Sequence, residues 1–514
     1  MKRMFAAALA AVCAAGLARA DWTWNGGNNA DLSDSSNWTG SSGNYLFNAS
    51  VSGLYLSQDW SCPTNFMVSS DGVTVSLALG ADRTLSLSST QHVSLMGCDN
   101  STFELTSGKI DHPAGREIYL LSPSSPNKNK NYTNNTFRIT GQGTILQTFN
   151  KAVVSAKGSG GKFEIADGAE FKGGIRFYDN NNTDQTVLVS TNGTLTSYMS
   201  YGASAGACAY PSQTGGGRGI RTVVDGGTLT ATYLNFANNE WSFEVKNGGK
   251  AQFSKNGMVI GSGSSFNVVE IGDGGVFEEK STNNGLFTIG NGAGATGNVV
   301  RVLSGGVLRF TDAFDDDASC SWGKFQIGYS EAVSNRVEVL GGTLITDRVY
   351  VGGDVANKPG DGNALVVSNG TMKTWHVTFS PRGGNSMLDI AGTTSAITTQ
   401  SQLVFTNTVV TLDFADGKYT SIPLQAEAGT LVFNAGTTFA LKNIKPAVRA
   451  GGGSVSIARR TAGAITLASG LLDAWNAALA ADEATEGCEF SLANGNKDLV
   501  LKLPAPKGLA IIFR

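Results

Sequence analysis

One phrase recurs along this chain: a short strand of alternating apolar residues, then Gly-Gly or Asn-Gly, then Thr or Val and a large apolar residue. Its clearest copies are VVDGGTL ending at Leu229, VVEIGDGGVF ending at Phe277, VVRVLSGGVL ending at Leu308, VEVLGGTL ending at Leu344 and LVVSNGTM ending at Met372. Units this short cannot bury a face alone, so they must stack and share one continuous core. Aligned turn glycines run from Gly72 and Gly108 through Gly143, Gly168, Gly193, Gly227, Gly249, Gly275, Gly306, Gly342 and Gly370 to Gly392, at intervals of 22 to 36 residues. A second phrase closes a strand at Ile260-Gly261, Ile289-Gly290, Ile327-Gly328 and Val351-Gly352, with Phe379-Ser380 as a looser copy. Each repeat therefore holds at least two short strands, and an all-β parallel β-solenoid is expected.

The register follows from alternation. Val269 and Ile271, Val300 and Val302, Val337 and Val339, and Leu365 and Val367 alternate with Glu270, Arg301, Glu338 and Val366. Period-two alternation sends the first set inward, and stacking at about 4.8 Å places Glu270, Arg301 and Glu338 in one outer ladder of alternating sign. Asn267, Asn298, Asn335 and Asn363 share one offset and are expected to stack as an amide ladder at a corner. Composition agrees with a turn-rich, ordered chain: 66 of 514 residues are glycine, against a usual share of about 7%. Only 15% are charged, and the formal charge of −3 argues against an electrostatic nucleic-acid partner.

Residues 1–20, MKRMFAAALAAVCAAGLARA, carry two early cations, an apolar run and a small-x-small end, the pattern of a secretory signal peptide cleaved before Asp21. Loss of Lys2, Arg3 and Arg19 takes the charge to −6. No later segment offers about 18 uninterrupted apolar residues, so no transmembrane anchor is expected. Four of the eight tryptophans, Trp22, Trp24, Trp38 and Trp60, mark residues 21–60 as an N-terminal cap. Residues 61–440 carry the repeats. Residues 441–514 are expected to form a C-terminal cap, with a helix around Leu471, Leu472, Trp475 and Leu479 followed by a hairpin turning at Asn494-Gly495-Asn496.

The opening DWTWNGGNNADLSDSSNWTG and the GGTL-type turns from Gly143 to Gly392 resemble bacterial autotransporter-associated β-strand repeat proteins. The resemblance implies a right-handed parallel β-helix, displayed on or released from a Gram-negative cell, with an adhesive or structural role. After Gly392 no series of roughly ten-residue amphipathic strands is long enough for an outer-membrane barrel, so the tail APKGLAIIFR is expected to act as a cap strand or sorting signal.

Because β-helices also carry polysaccharide lyases and glycosidases, an enzyme or carbohydrate-binding module is the alternative. Asn182-Thr183-Asp184 matches one polygalacturonase motif, but the companion Gly-His-Gly and Arg-Ile-Lys are absent. His92, His112 and His376 lie in separate repeats, none beside a Ser or Cys nucleophile. No catalytic residue is assigned. Trp322 and Trp375 are candidates for stacking on sugar rings, with packing of a loop as the plainer reading. Asp315, Asp316 and Asp317, with Asp312, form an acidic loop able to take Ca2+, to act as acid and base, or to stay solvated. Asp354, Asn357, Asp361 and Asn363 offer oxygen ligands without EF-hand spacing. No other cofactor is expected, and the expected partners are extracellular polysaccharide or cell-surface ligands. Five cysteines follow the signal segment, and none forms a CxxC pair. Cys62 and Cys98 stand ten residues before Gly72 and Gly108. Equal offsets predict adjacent coils and a disulfide across about 5 Å, within the bonding range of about 4.4 to 6.8 Å.

Overall fold

The structure, a computed structural model, describes residues 21–506 apart from 27–28, 41–42, 89–91, 114–116, 124–130, 156–157, 179–182, 198–208, 211, 215–217, 232, 237, 254–257, 281–285, 312–322 and 354–357. The signal segment, Asn182, Cys208, Cys320, Asp312, Asp315 to Asp317, Trp322, Asp354, Asn357 and the last eight residues lie outside the described residues.

The chain winds as a parallel β-solenoid. A 15-stranded sheet makes the first face, from Val51–Leu54 to Thr438–Lys442, each strand pairing with its counterpart in the next coil. A 27-stranded sheet makes the second and third faces together, because long strands such as Thr343–Val351, Thr371–Phe379 and Ala396–Phe405 run through the bend between them. The register matches the alternation in the sequence. Glu270 opposes Arg301 and Arg301 opposes Glu338, while Val269, Ile271, Val300, Val302, Val337, Val339, Leu365 and Val367 are wholly buried. Burial of each such side chain contributes about 1.5–3 kcal/mol. Phenylalanine rings fill the interior between coils, with Phe287 and Phe325 centroids 4.7 Å apart.

Both recurring glycine columns have steric causes. The backbone N–H of Thr228, Lys250, Val276, Val307, Thr343, Thr371 and Ala396 donates to the carbonyl of Gly193, Gly227, Gly249, Gly275, Gly306, Gly342 and Gly370 in the coil before. A Cβ on Gly275 or Gly306 would strike the carbonyl of Val245 or Ile271. In the second phrase, Gly290 and Gly328 have φ of +74° and +79°, and a Cβ there would overlap the amides of Asn335 and Asn363. Glycine ends that strand because the next coil's asparagine occupies the space.

Those asparagines form the expected ladder, and Asn267, Asn298, Asn335 and Asn363 are all wholly buried. Asn267 donates through Nδ2 to Asn298 Oδ1 at 2.8 Å, Asn298 to Asn335 at 2.8 Å and Asn335 to Asn363 at 3.2 Å. Each Oδ1 also accepts the backbone N–H of the preceding rung, at 3.0 to 3.1 Å. Asn298 Nδ2 further donates to Ser264 O at 3.0 Å. A buried amide with every donor and acceptor engaged carries no desolvation debt and fixes register.

The early glycine alignment needs correction. Lys109 pairs with Thr84, so Gly108 matches Arg83. Gly72 instead precedes the first-face strand Thr74–Ala78, whereas Gly108 follows its counterpart Thr102–Ser107. Thr144 and Ala169, one residue after Gly143 and Gly168, hold the column in the next coils. The disulfide expectation falls with that register. Cys62 opposes Leu87 on the second face. Cys98 lies in the turn before Thr102, where Asp99 receives the N–H of Gly72. Both are buried free thiols, and burial pushes the Cys62 thiol up to about 12.

The solenoid begins and ends differently from its body. Trp24, Trp38, Phe47 and Phe66 pack edge to face around the first coils, with Trp24 and Trp38 centroids 5.1 Å apart. At the other end parallel pairing continues through Ala458 and Leu467, so the last coil extends past residue 440. The hairpin strands Glu489–Ala493 and Asp498–Leu503 then add antiparallel to Gly453–Arg460, covering an edge that would otherwise pair with another chain. Trp475, on the helix Leu471–Ala481, donates through Nε1 to Thr437 O at 2.8 Å and is buried against Phe433, Phe439 and Phe490. Arg459 locks the hairpin, with Nε and Nη2 donating to the two oxygens of Asp498 at 2.7 and 3.0 Å. These bonds hold the Asp498 carboxyl below its usual range.

Four outcomes are expected. Asn298→Ala, which strands the Asn267 N–H and the Ser264 carbonyl, should cost about 3 kcal/mol in chemical denaturation, whereas Arg301→Ala on the outer ladder should cost less than about 1 kcal/mol. Asp498→Asn should cost about 2 kcal/mol at neutral pH. Its folded pKa lies below the unfolded one, so this stabilisation is present above about pH 4 and lost on acidification; the gap between parent and variant should close by about pH 2. Cys62 and Cys98 should resist alkylation at pH 8 in the native protein and react after unfolding without reductant, whereas a Cys62–Cys98 bridge in a peptide map would contradict the assignment.

Candidate functional site

On the first face several outward charges pair between coils. Arg138 lies 3.2 Å from Glu104 and 3.7 Å from Glu164, and Arg301 lies 3.7 Å from Glu270 and 2.8 Å from Glu338. Where two acids meet, Glu244 opposite Glu270, Arg221 and Lys246 sit on Glu244. The second face repeats the device: Lys250 and Arg309 flank Glu278 at 3.2 and 2.8 Å, and Gln252 donates to it at 3.1 Å. Burial pushes the Glu278 pKa up, but hydrogen bonds from Gln252, Arg309 and Lys250 outweigh it and the net shift is downward. Glu244 is lowered in the same way, against its own burial. A general acid needs a raised pKa, so neither carboxylate is tuned for that role.

The residues weighed for catalysis are dispersed. His112 points inward, its Nδ1 2.9 Å from the Leu87 carbonyl. His92 packs edge-on to Tyr119 at 5.5 Å, and Tyr119 donates to Glu117, which Arg176 holds at 2.6 Å. Asp184, from the polygalacturonase-like triplet, is a corner residue with φ of +54°, a conformation that Asn, Asp and Gly reach most readily. Of the second set of oxygen ligands, Asn363 belongs to the buried ladder, and Asp361 Oδ1 accepts the Asn385 N–H at 2.7 Å. Among the described residues no group of three or more His, Cys, Asp or Glu is placed to hold a metal ion.

The third face differs in its later coils. Lys324 opposes Arg348 and Arg348 opposes His376, so three basic side chains occupy one outward column, each partly exposed. The column continues as Leu286 before Lys324 and as Gln402 and Thr430 after His376. The neighbouring column carries Gln326, Tyr350 and Thr378. Lys324 Nζ lies 5.6 Å from the Tyr350 ring centroid, within cation–π range. The Tyr350 and His376 rings are 5.7 Å apart, and His376 Nε2 is 2.5 Å from Thr378 Oγ1. Trp375 is half-buried one residue before His376, at the bend where Thr374 Oγ1 donates to the Asp347 carbonyl at 2.8 Å. Asp347 itself is wholly buried.

Sequence reasoning picked out Trp375 but missed Lys324, Arg348 and Tyr350, and it weighed His376 only as a triad member. The signal was present. Lys324, Arg348 and His376 each stand three residues before the strand ends Ile327, Val351 and Phe379 of the second phrase. Trp375→Ala, which removes a half-buried side chain, should cost about 1 kcal/mol. Trp475→Ala, in the buried cap, should cost about 3–5 kcal/mol; equal costs would mean that Trp375 is a packing residue.

Among the described residues no helix is long and apolar enough to cross a membrane. No protein-family model matches the chain, and no curated protein matches it. Among solved structures the chain is similar to the TibC-catalysed, hyper-glycosylated TibA fragment spanning residues 55–350: the two are 14% identical, the match covers 74% of this chain and 98% of that one, and the TM-score is 0.31. A likeness this distant says nothing about what the chain binds.

Proposed function

We propose that this chain is an exported β-solenoid that acts through its surface, as a structural or adhesive protein of the cell exterior, akin to the autotransporter-associated repeat proteins its sequence resembles. One observation carries the reading: on two faces outward acids and bases pair from rung to rung and hold coils together, as in Glu270–Arg301–Glu338 and Lys250–Glu278–Arg309. Side chains spent in this way stiffen a rod. Glu244 and Glu278, whose carboxyls are held below the usual range by their neighbours, are anions of these ladders and not poised general acids.

The test is a polysaccharide panel with two readouts. The purified chain should retain at least one extracellular polysaccharide, and the retained polymer should keep its length and release no new reducing ends. Depolymerisation would move the protein to the enzymatic alternative, and failure to bind any polymer or cell surface would remove the adhesive reading. Export predicts a mature N-terminus at Asp21, read by mass spectrometry of the secreted protein.

A further inference from the structure

We infer that copies of this chain stack head to tail, the acidic N-terminal end of one solenoid docking on an open strand edge and a basic groove at the C-terminal end of the next, a contact separate from the surface role proposed above. The two sheets end differently. The closing hairpin covers Gly453–Arg460 of the 27-stranded sheet. The last strand of the 15-stranded sheet, Thr438–Lys442, pairs among the described residues only with Thr408–Asp413. Its inward side chains show the gap: Phe439 and Leu441 oppose the wholly buried Val410 and Leu412, yet are themselves only half-buried. At the other end of the same sheet Val51–Leu54 has, among the described residues, Thr74–Ala78 as its one strand neighbour, and Ser52 and Gly53 are exposed. A parallel sheet with an open edge at each end is a template for a second copy in the same orientation.

Charge decides which end meets which. From Asp21 to Trp60 the chain carries Asp21, Asp31, Asp34 and Asp59 and no base, and the first cation after them is Arg83. From Ala428 to Leu472 it carries five bases and no acid. Two of these are engaged, Arg459 with Asp498 and Arg460 with the carbonyls of Gly429 and Ala464. Lys442, Lys445 and Arg449 are exposed and form no ion pair among the described residues. Lys445 and Arg449 stand four residues apart on the short helix Ile444–Arg449 and line a groove of about 530 Å³ together with the apolar Leu441, Ile444 and Pro446. Ala484 lines it as well, and Asp482 beside it accepts the Ala484 N–H, so the basic character comes from the helix. The N-terminal end offers an apolar counterpart: Trp22 stacks on Tyr45 with ring centroids 5.6 Å apart, both half-buried, and Tyr55 is 40% exposed. Like ends repel and unlike ends attract, which orients the encounter. A contact between two different surfaces related by translation does not close on itself, so it yields open filaments rather than dimers.

Sedimentation velocity of the secreted full-length protein at low salt should show mass rising with concentration and falling back toward the monomer as salt is added. Lys445→Glu/Arg449→Glu and Asp21→Lys/Asp59→Lys should each weaken self-association at least tenfold, with melting temperatures kept near the parent's. An equimolar mixture of the two variants should restore association, because each reversed end then meets one of opposite sign. In the parent, zero-length carbodiimide coupling should join Lys445 to an acid of residues 21–60. The two ends of the 15-stranded sheet lie about 65 Å apart at about 4.8 Å per strand, so such a link joins two copies. If Asp21→Lys/Asp59→Lys misfolds, Lys445→Glu/Arg449→Glu and the coupling map carry the same expectation. A parent that stays monomeric at every concentration would overturn the inference. Variants that associate as the parent does, a mixture of folded variants that stays monomeric, or coupling that joins like ends would overturn the assigned surfaces. Polysaccharide retention is read separately, so a monomeric parent leaves the adhesive reading standing.

Discussion

Every coil of this protein is tied to the next by parallel backbone hydrogen bonds, and one buried column of asparagine amides decides which residue faces which. Backbone pairing alone tolerates a slip, because one strand edge resembles another. The amide column does not. Asn298 must meet Asn267 on one side and Asn335 on the other, and a slip by a single residue would put four buried amides out of reach of their partners while turning Val300 and Val302 to solvent. The glycines at 290 and 328 belong to the same device, since the amide of the following coil fills the place of their missing side chains. Outer ladders such as Glu270–Arg301–Glu338 add little energy, but they could form only once this register was set.

The body of the solenoid was legible because its signals are local and periodic. Alternation assigned the inward residues from Val269 to Val367, equal offsets assigned the asparagine column, and the glycines from Gly193 to Gly370 mark one turn in every coil. The first coils were misread for a physical reason. Their second-face strands are entered through turns of changing length, Gly80 to Arg83 in one coil and Gly108 alone in the next. Counting back from a glycine therefore compared the front of one strand with the back of another, and Cys62 was matched with Cys98 rather than with Leu87. The basic column on the third face was overlooked for a different reason. Its members are spread over more than fifty positions in the chain and converge only through register, so a search for neighbouring catalytic residues passed over them.

The polar residues of this chain divide by position. On the first two faces ladders such as Glu270–Arg301–Glu338 and Lys250–Glu278–Arg309 pair from rung to rung and serve the rod. At the corner they are buried amides and serve register. On the later coils of the third face they gather as Lys324, Arg348, His376, Tyr350 and Trp375, with the bases aligned and aromatic rings beside them.

The most direct test of this account is disulfide trapping across neighbouring coils. Arg301→Cys with Glu338→Cys places two thiols directly opposite, whereas Arg301→Cys with Arg336→Cys places them on a diagonal about 7–8 Å apart. Under mild oxidation the 301/338 pair should close rapidly within one molecule and the 301/336 pair should stay largely reduced. Faster closure of the 301/336 pair, or failure of both to close, would contradict the stacked register on which the ladders and the basic column depend.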